Sequence, residues 1–171
     1  MAPASSLNCP STMAEINLHA SCVVLAQAGP KLGAPEDAGV LLLGESGSGK
    51  SDLALRLIAM GALLVADDRT VLWVEEGVLL GRAPPTLEGL IEVRGLGIRR
   101  LPTAQRASIR LAAILGPEAE RLPEPEYWPL PQGLKGASPP PVLRLNAFSA
   151  SAPVRIVLAA APLGQLPDMG N

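Results

Sequence analysis

Short apolar runs alternate along this chain with turns rich in glycine and proline, and one stretch carries a clear helical period. Ile16 to Ala26 (INLHASCVVLA) reads as a strand with His19 inside it, and Val40-Leu41-Leu42-Leu43 reads as a second, buried strand. Gln27 to Gly39, between them, holds two prolines and three glycines and is a loop. Asp52 to Ile58 places apolar residues at helical spacing among helix formers. That helix runs to Met60, and Gly61 caps its C-terminus. Leu63-Leu64-Val65-Ala66 is another short strand and ends in Asp67-Asp68. Thr70 to Val74 and Val78 to Arg82 predict a hairpin across Glu75-Glu76-Gly77, which Ala83-Pro84-Pro85 terminates. Leu90 to Ile98 reads as extended, so Glu92 and Arg94, two positions apart, face the same way. Ala107 to Leu115 and Val142 to Leu145 are further strands, and Val154 to Ala161 is a closing strand or helix.

Two stretches break the pattern. Met1 to Thr12 is rich in Pro, Ser and Ala and is expected to be disordered, so residues 1–14 form a tail ahead of one domain at 15–171. Met13 is an alternative start. Gly116 to Pro141 holds eight prolines and is expected as a long, stiff loop or lid. Tyr127 and Trp128, two of the chain's four aromatics, sit there, either docked on the core or facing a partner. With 48% apolar residues but 2% aromatics, the core of this 171-residue domain must be built from Leu, Val, Ile and Ala. A net charge of −2 argues against nucleic-acid binding by general phosphate attraction. No run approaches the roughly 20 apolar residues of a membrane span, and no signal peptide is visible. Cys9 and Cys22 stand in no metal or redox spacing and fit free thiols in a reducing cytoplasm. The single histidine, His19, excludes His-cluster zinc chemistry.

The chemistry concentrates at Gly44-Glu45-Ser46-Gly47-Ser48-Gly49-Lys50-Ser51, which fits G-x-x-x-x-G-K-[ST] between a strand and a helix. Glycines let successive N–H groups face inward as an anion nest, and the helix N-terminus adds partial positive charge. Lys50 would reach the β- and γ-phosphates and the Ser51 hydroxyl would ligate Mg²⁺. An apolar strand ending in acid after such a helix places Asp67-Asp68 where a metal-organising or base carboxylate belongs; the alternative is a pair of turn aspartates. Glu92 and Arg94 are equally compatible with an exposed strand salt bridge. His19 alone reads as a strand histidine satisfied by the backbone.

GESGSGKS, LVADD and EVRGLGI, in that order with His19 upstream, resemble the kinase domain of HPr kinase/phosphorylase, in its short alphaproteobacterial type without the extra N-terminal domain. The resemblance covers roughly residues 18–122. It implies an α/β fold, a single P-loop kinase domain with a mixed, strand-rich sheet and few helices. It also implies an ATP- and Mg²⁺-dependent kinase acting on a serine of HPr, the small carrier of the sugar phosphotransferase system, and a homo-oligomer, a hexamer in the family. By the same resemblance His19 matches the active-site histidine, Gly44 to Ser51 the nucleotide loop, and Asp68 the catalytic aspartate, with Asp67 supporting it. Glu92 matches a metal-site glutamate and Arg121 a late active-site arginine. The family's late Arg/Pro/Gly-rich loop, linked to dephosphorylation of the product, is not recognisable here; Leu143 to Ser149 stands in its place and departs from that pattern. A nucleotide-binding regulatory or sensor module with decayed kinase activity is the alternative from another class. A small-molecule kinase is a third, disfavoured by the lack of a lid arginine cluster.

Overall fold

The computed structural model describes residues 14–118, 121 and 123–162. Residues 1–13 of the expected N-terminal tail lie outside them, Cys9 included. The centre of the molecule is β3 (Ala38–Leu43), whose residues are apolar on both faces and buried along almost its whole length. It pairs parallel with β9 (Ala107–Leu115) on one side and antiparallel with β2 (Ser21–Val24) on the other. Beyond β2 lies β4 (Leu63–Ala66). Beyond β9 the sheet divides. The start of β9 takes β6 (Val78–Arg82), followed by β5 (Thr70–Glu75) and β1 (Ile16–Leu18); its end takes β10 (Val142–Leu145) in parallel. A separate hairpin joins β7 (Leu90–Val93) to β8 (Gly97–Arg100). The described residues hold two α-helices, α1 (Lys50–Ala59) and α2 (Ala152–Ala160). This is the mixed, strand-rich sheet with few helices that the resemblance implies.

Each sheet face has its own core. One cluster joins Val40 and Leu42 of β3 to Leu53 and Leu57 of α1 and Ile156 of α2. The other joins Leu41 to Cys22, Val65, Leu72 and Leu134 on the face without helices. In β9, Ala107 and Ile109 belong to the second cluster, whereas Leu111, Ala113 and Leu115 belong to the first. A strict period of two would keep all five on one face. The pairing with β3 slips here, since Gly39 faces Ile109 while Val40 faces Leu111. The extra residue, Arg110, is a bulge that turns the rest of the strand over.

Local chemistry sets the ends of α1. Its C-terminus is a Schellman motif: Gly61 at φ 107° donates to the Ile58 carbonyl (2.9 Å), and Ala62 donates to that of Leu57 (3.1 Å). The expected cap is therefore in place. The 70–82 hairpin forms as expected, its turn carried by positive φ at Glu76 (50°) and Gly77 (79°).

Three expectations change, and one open alternative is decided. Ile16 to Ala26 is two strands, because the Ala20 N–H turns back onto the Leu18 carbonyl (3.0 Å) and the chain switches neighbours from β5 to β3. His19 stands in that bend, not inside a strand. Leu90 to Ile98 is a hairpin, closed by the Leu96 N–H on the Val93 carbonyl (2.9 Å), so Glu92 and Arg94 are not related by strand alternation. Val154 to Ala161, expected as strand or helix, belongs to helix α2 as far as Ala160, with Ala161 as its cap.

The proline-rich stretch covers the helix-free face. Leu134 is buried there, and Trp128 and Leu130 pack on the second cluster, while Tyr127 stays exposed. Its prolines lack donors and fix φ, which suits an irregular cover better than a strand. The Trp128 and Val142 amides close the stretch on the Pro140 and Glu126 carbonyls (both 2.8 Å). Arg144 grips Glu126 with two bonds (2.8 and 2.6 Å), which lower its carboxyl from its ordinary value.

Two outcomes follow from this packing. Leu57→Ala should lower stability in urea melts by about 2–5 kcal/mol, since Leu57 is fully buried between helix and sheet. Burial pushes the Cys22 thiol up to about 12. Peptide mass mapping should therefore find Cys22 unlabelled by iodoacetamide in the native protein and labelled in denaturant.

Candidate active site

Parallel β3 carries the chain to Gly44, and the loop to Ser51 curls at the N-terminus of α1. Gly49, the residue before the helix, sits at φ 95°. A Cβ there would fall 2.9 Å from Ala147 Cβ and 3.1 Å from Phe148 Cζ, so space and conformation both demand glycine. Lys50 is buried. Its ammonium folds back over the loop and donates to the Gly44 and Glu45 carbonyls at 2.8 and 2.9 Å. The loop thus presents a positive charge beside the first amides of α1.

The two aspartates divide their work. Asp67 is buried, and its Oδ1 accepts hydrogen bonds from the hydroxyls of Ser21 and Ser51, both at 2.8 Å. Its Oδ2 accepts the Glu92 N–H at 3.2 Å. Asp68 has the opposite character. It takes a left-handed conformation (φ 62°), unusual outside glycine, and its side chain is 65% exposed. The Ser21 hydroxyl accepts its N–H at 3.3 Å. Its Oδ1 lies 2.8 Å from His19 Nε2. With the ring proton on Nε2, His19 donates to this carboxylate and fixes its direction.

Gly49, Lys50, Ser51, both aspartates, His19 and Glu92 line one cavity of about 820 Å³ at the C-terminal end of β3. Ser46, Gly47, Gly49, Lys50 and Ser51 form its floor; His19, Asp67, Asp68 and Glu92 reach it from β2, β4 and β7. Of the residues expected in the site, Gly44, Glu45 and Ser48 shape the loop from behind. Arg121 is exposed and does not line the cavity. Nor does any described residue of 116–141, so that stretch is a cover for the far face and not a lid on this one. Three contributors were not anticipated. Ser21 was visible only as a hydroxyl in an otherwise apolar run. Phe148, the chain's one phenylalanine, enters from the loop after β10. Arg56 bonds the Ala147 carbonyl and, at 3.1 Å, that of Ser149, and so ties that loop to α1.

The donor set fits Mg²⁺. Ser51 and Asp67 offer hard oxygens, which Mg²⁺ prefers, and no group of three or more His, Cys, Asp or Glu gathers among the described residues. Mg²⁺ normally keeps several waters and relies on phosphate oxygens, so a sparse protein shell suffices. The lining carries the carboxylates of Asp52, Asp67, Asp68 and Glu92 against the cations Lys50 and Arg94. A polyphosphate entering alone would meet excess negative charge, and a divalent cation removes that conflict.

A strand, a phosphate loop, a helix and an acid at the end of β4, two strands over, define a phosphate-loop α/β domain. Residues 35–104 match the family model described as HPr Serine kinase C-terminal domain. An HPr kinase/phosphorylase from Clostridium tetani is 51% identical over 65 residues, covering 38% of this chain and 21% of the relative. One from an Acidovorax species is 40% identical over 121 residues, covering 63% of this chain and 36% of the relative. The chain therefore spans about a third or less of the curated relatives it matches. The solved HPr(Ser) kinase/phosphatase of Coxiella burnetii superposes with a TM-score of 0.64 at 26% identity, covering 84% of this chain and 93% of that one. Residues 35–104 thus match the HPr kinase C-terminal domain model, and over most of its length the chain shares the fold of the solved HPr(Ser) kinase/phosphatase.

The two aspartates should separate in mutagenesis. Asp67→Ala leaves two hydroxyls and an N–H without their acceptor and should cost at least about 1–3 kcal/mol in urea melts. Asp68→Gly should be close to neutral in the same assay, within about 1 kcal/mol, because glycine adopts positive φ without strain.

Proposed function

We propose that the protein is an ATP- and Mg²⁺-dependent protein serine kinase of the cytoplasm, acting on HPr or an HPr-like phosphocarrier. The observation that carries this reading is the His19–Asp68 couple, open to solvent in the same cavity as Lys50 and Ser51. Phosphoryl transfer needs little covalent work from a protein and much positioning and charge stabilisation. The loop amides and Lys50 bind the polyphosphate; Lys50 exchanges its bonds to the Gly44 and Glu45 carbonyls for phosphate oxygens. Ser51 and Asp67 would hold Mg²⁺, with Glu92 reaching it through water; when bound, the ion spreads charge developing on the transferred group. Asp68 accepts the proton of the attacking serine hydroxyl. His19 orients that carboxylate and offsets its charge. A substrate serine can reach Asp68 because this side chain, unlike that of Asp67, is exposed.

A reverse reaction, for which the chain lacks the family's Arg/Pro/Gly-rich loop, would use the same groups. If inorganic phosphate attacks the phosphoserine, protonated Asp68 returns its proton to the leaving serine oxygen. Phosphoserine-HPr with phosphate would then release pyrophosphate, and that release is the direct assay for it.

Purified protein with Mg-ATP should label HPr on serine. Asp68→Asn should lower the rate by about 10²–10⁴-fold while ATP affinity holds. Lys50→Ala should weaken ATP binding itself, by about tenfold or more. A wild type that binds ATP yet labels no HPr would overturn the kinase reading in favour of a nucleotide-binding regulatory module.

A further inference from the structure

Phe148 is the chain's one phenylalanine, and it is 66% exposed although it lines the cavity. An exposed ring on a loose loop would mean little. This loop is held on both sides of the ring. Arg56, itself bonded to Asp52 (3.1 Å), donates to the carbonyls of Ala147 and Ser149. The Asn146 side chain accepts the Phe148 N–H at 3.0 Å, and the Ser149 N–H closes on the Asn146 carbonyl at 3.1 Å. Ala147 is buried beneath. The backbone is fixed while the ring is left uncovered, with its edge against Gly49 of the phosphate loop.

Strand order then sets a direction across the site. At the cavity end of the sheet the order is β4, β2, β3, β9, β10. The phosphate loop leaves β3, in the middle. Asp68 follows β4 and His19 precedes β2, so both acceptor-side groups lie to one side of the loop. Phe148 follows β10 and lies to the other. Neighbouring strands are about 4.8 Å apart, so a nucleotide with its last phosphate toward Asp68 extends its base toward β10.

We infer that Phe148 is the platform on which the nucleobase stacks, making it the residue by which the site distinguishes a nucleotide from bare polyphosphate. This rests on the nucleotide-binding part of the reading above. Aromatic stacking tolerates any base, because every base offers a π-face. It also needs no hydrogen-bond partner from the protein, which suits a ring that lies with its edge against Gly49.

The test compares Mg-ATP with Mg-tripolyphosphate by calorimetry. Wild type should bind ATP about tenfold more tightly. Phe148→Ala should bring ATP to the tripolyphosphate level and leave tripolyphosphate unchanged. Phe148→Trp adds a reporter, since Trp73 and Trp128 both lie outside the cavity. Its emission should be quenched by ATP and not by tripolyphosphate. Equal losses for both ligands in Phe148→Ala would assign the ring to shaping the loop and overturn the proposal; so would unchanged binding of both. Wild type binding the two ligands equally overturns the stacking while sparing the phosphate loop. Wild type binding neither overturns both readings.

Discussion

One buried carboxylate holds the site together. Asp67 collects a hydroxyl from the start of β2, a hydroxyl from the first turn of α1 and an amide from β7. Far apart in sequence, these elements share no backbone ladder that would set all three at once. An ionised group inside the protein is costly unless its lone pairs are met, and three donors meet them here. The same contacts that make the charge tolerable put Ser51, Ser21 and Glu92 at fixed positions around the phosphate loop. Asp68, the next residue, is then thrown outward by its left-handed backbone. Restraint on one aspartate gives freedom to the other, and the cavity needs both.

The sheet sorts structure and chemistry onto different surfaces. The helices take one face, the proline-rich cover the other, and the cavity occupies the end where β3, β9 and β10 all run out in the same direction. Ligands of open α/β sheets gather at such carboxyl ends, because loops there can vary without disturbing the strands. The loop after β10 is a case in point. It is braced from α1 by Arg56, yet its Phe148 ring is left to the cavity.

Where the sequence was legible, a single residue or short run decided the outcome. Glycines and a lysine between an apolar strand and an amphipathic helix leave few alternatives, and Gly61 ends that helix as its chemistry demands. Asp67-Asp68 lies in the cavity as the strand pattern implies. The misses came from long-range geometry. INLHASCVVLA contains no glycine or proline, and nothing in it marks the turn at His19 that sends its halves to different partners. The bulge at Arg110 is equally silent, since its residues would suit an unbroken strand. Ser21 and Phe148 could be valued only once their neighbours were known.

The parallel pairing of β3 with β9 has a consequence for how the protein is born. Ala38 meets Ser108, and β10 joins only at Val142. Contacts across so much intervening chain form late and slowly. A ribosome that has released residues up to 104, the reach of the matched family segment, has already exposed every atom of the phosphate loop, but not the strand that supports it. The emerging polypeptide therefore carries the phosphate loop and its acids with no scaffold to hold them, and competence arrives abruptly, when the last strands zip home.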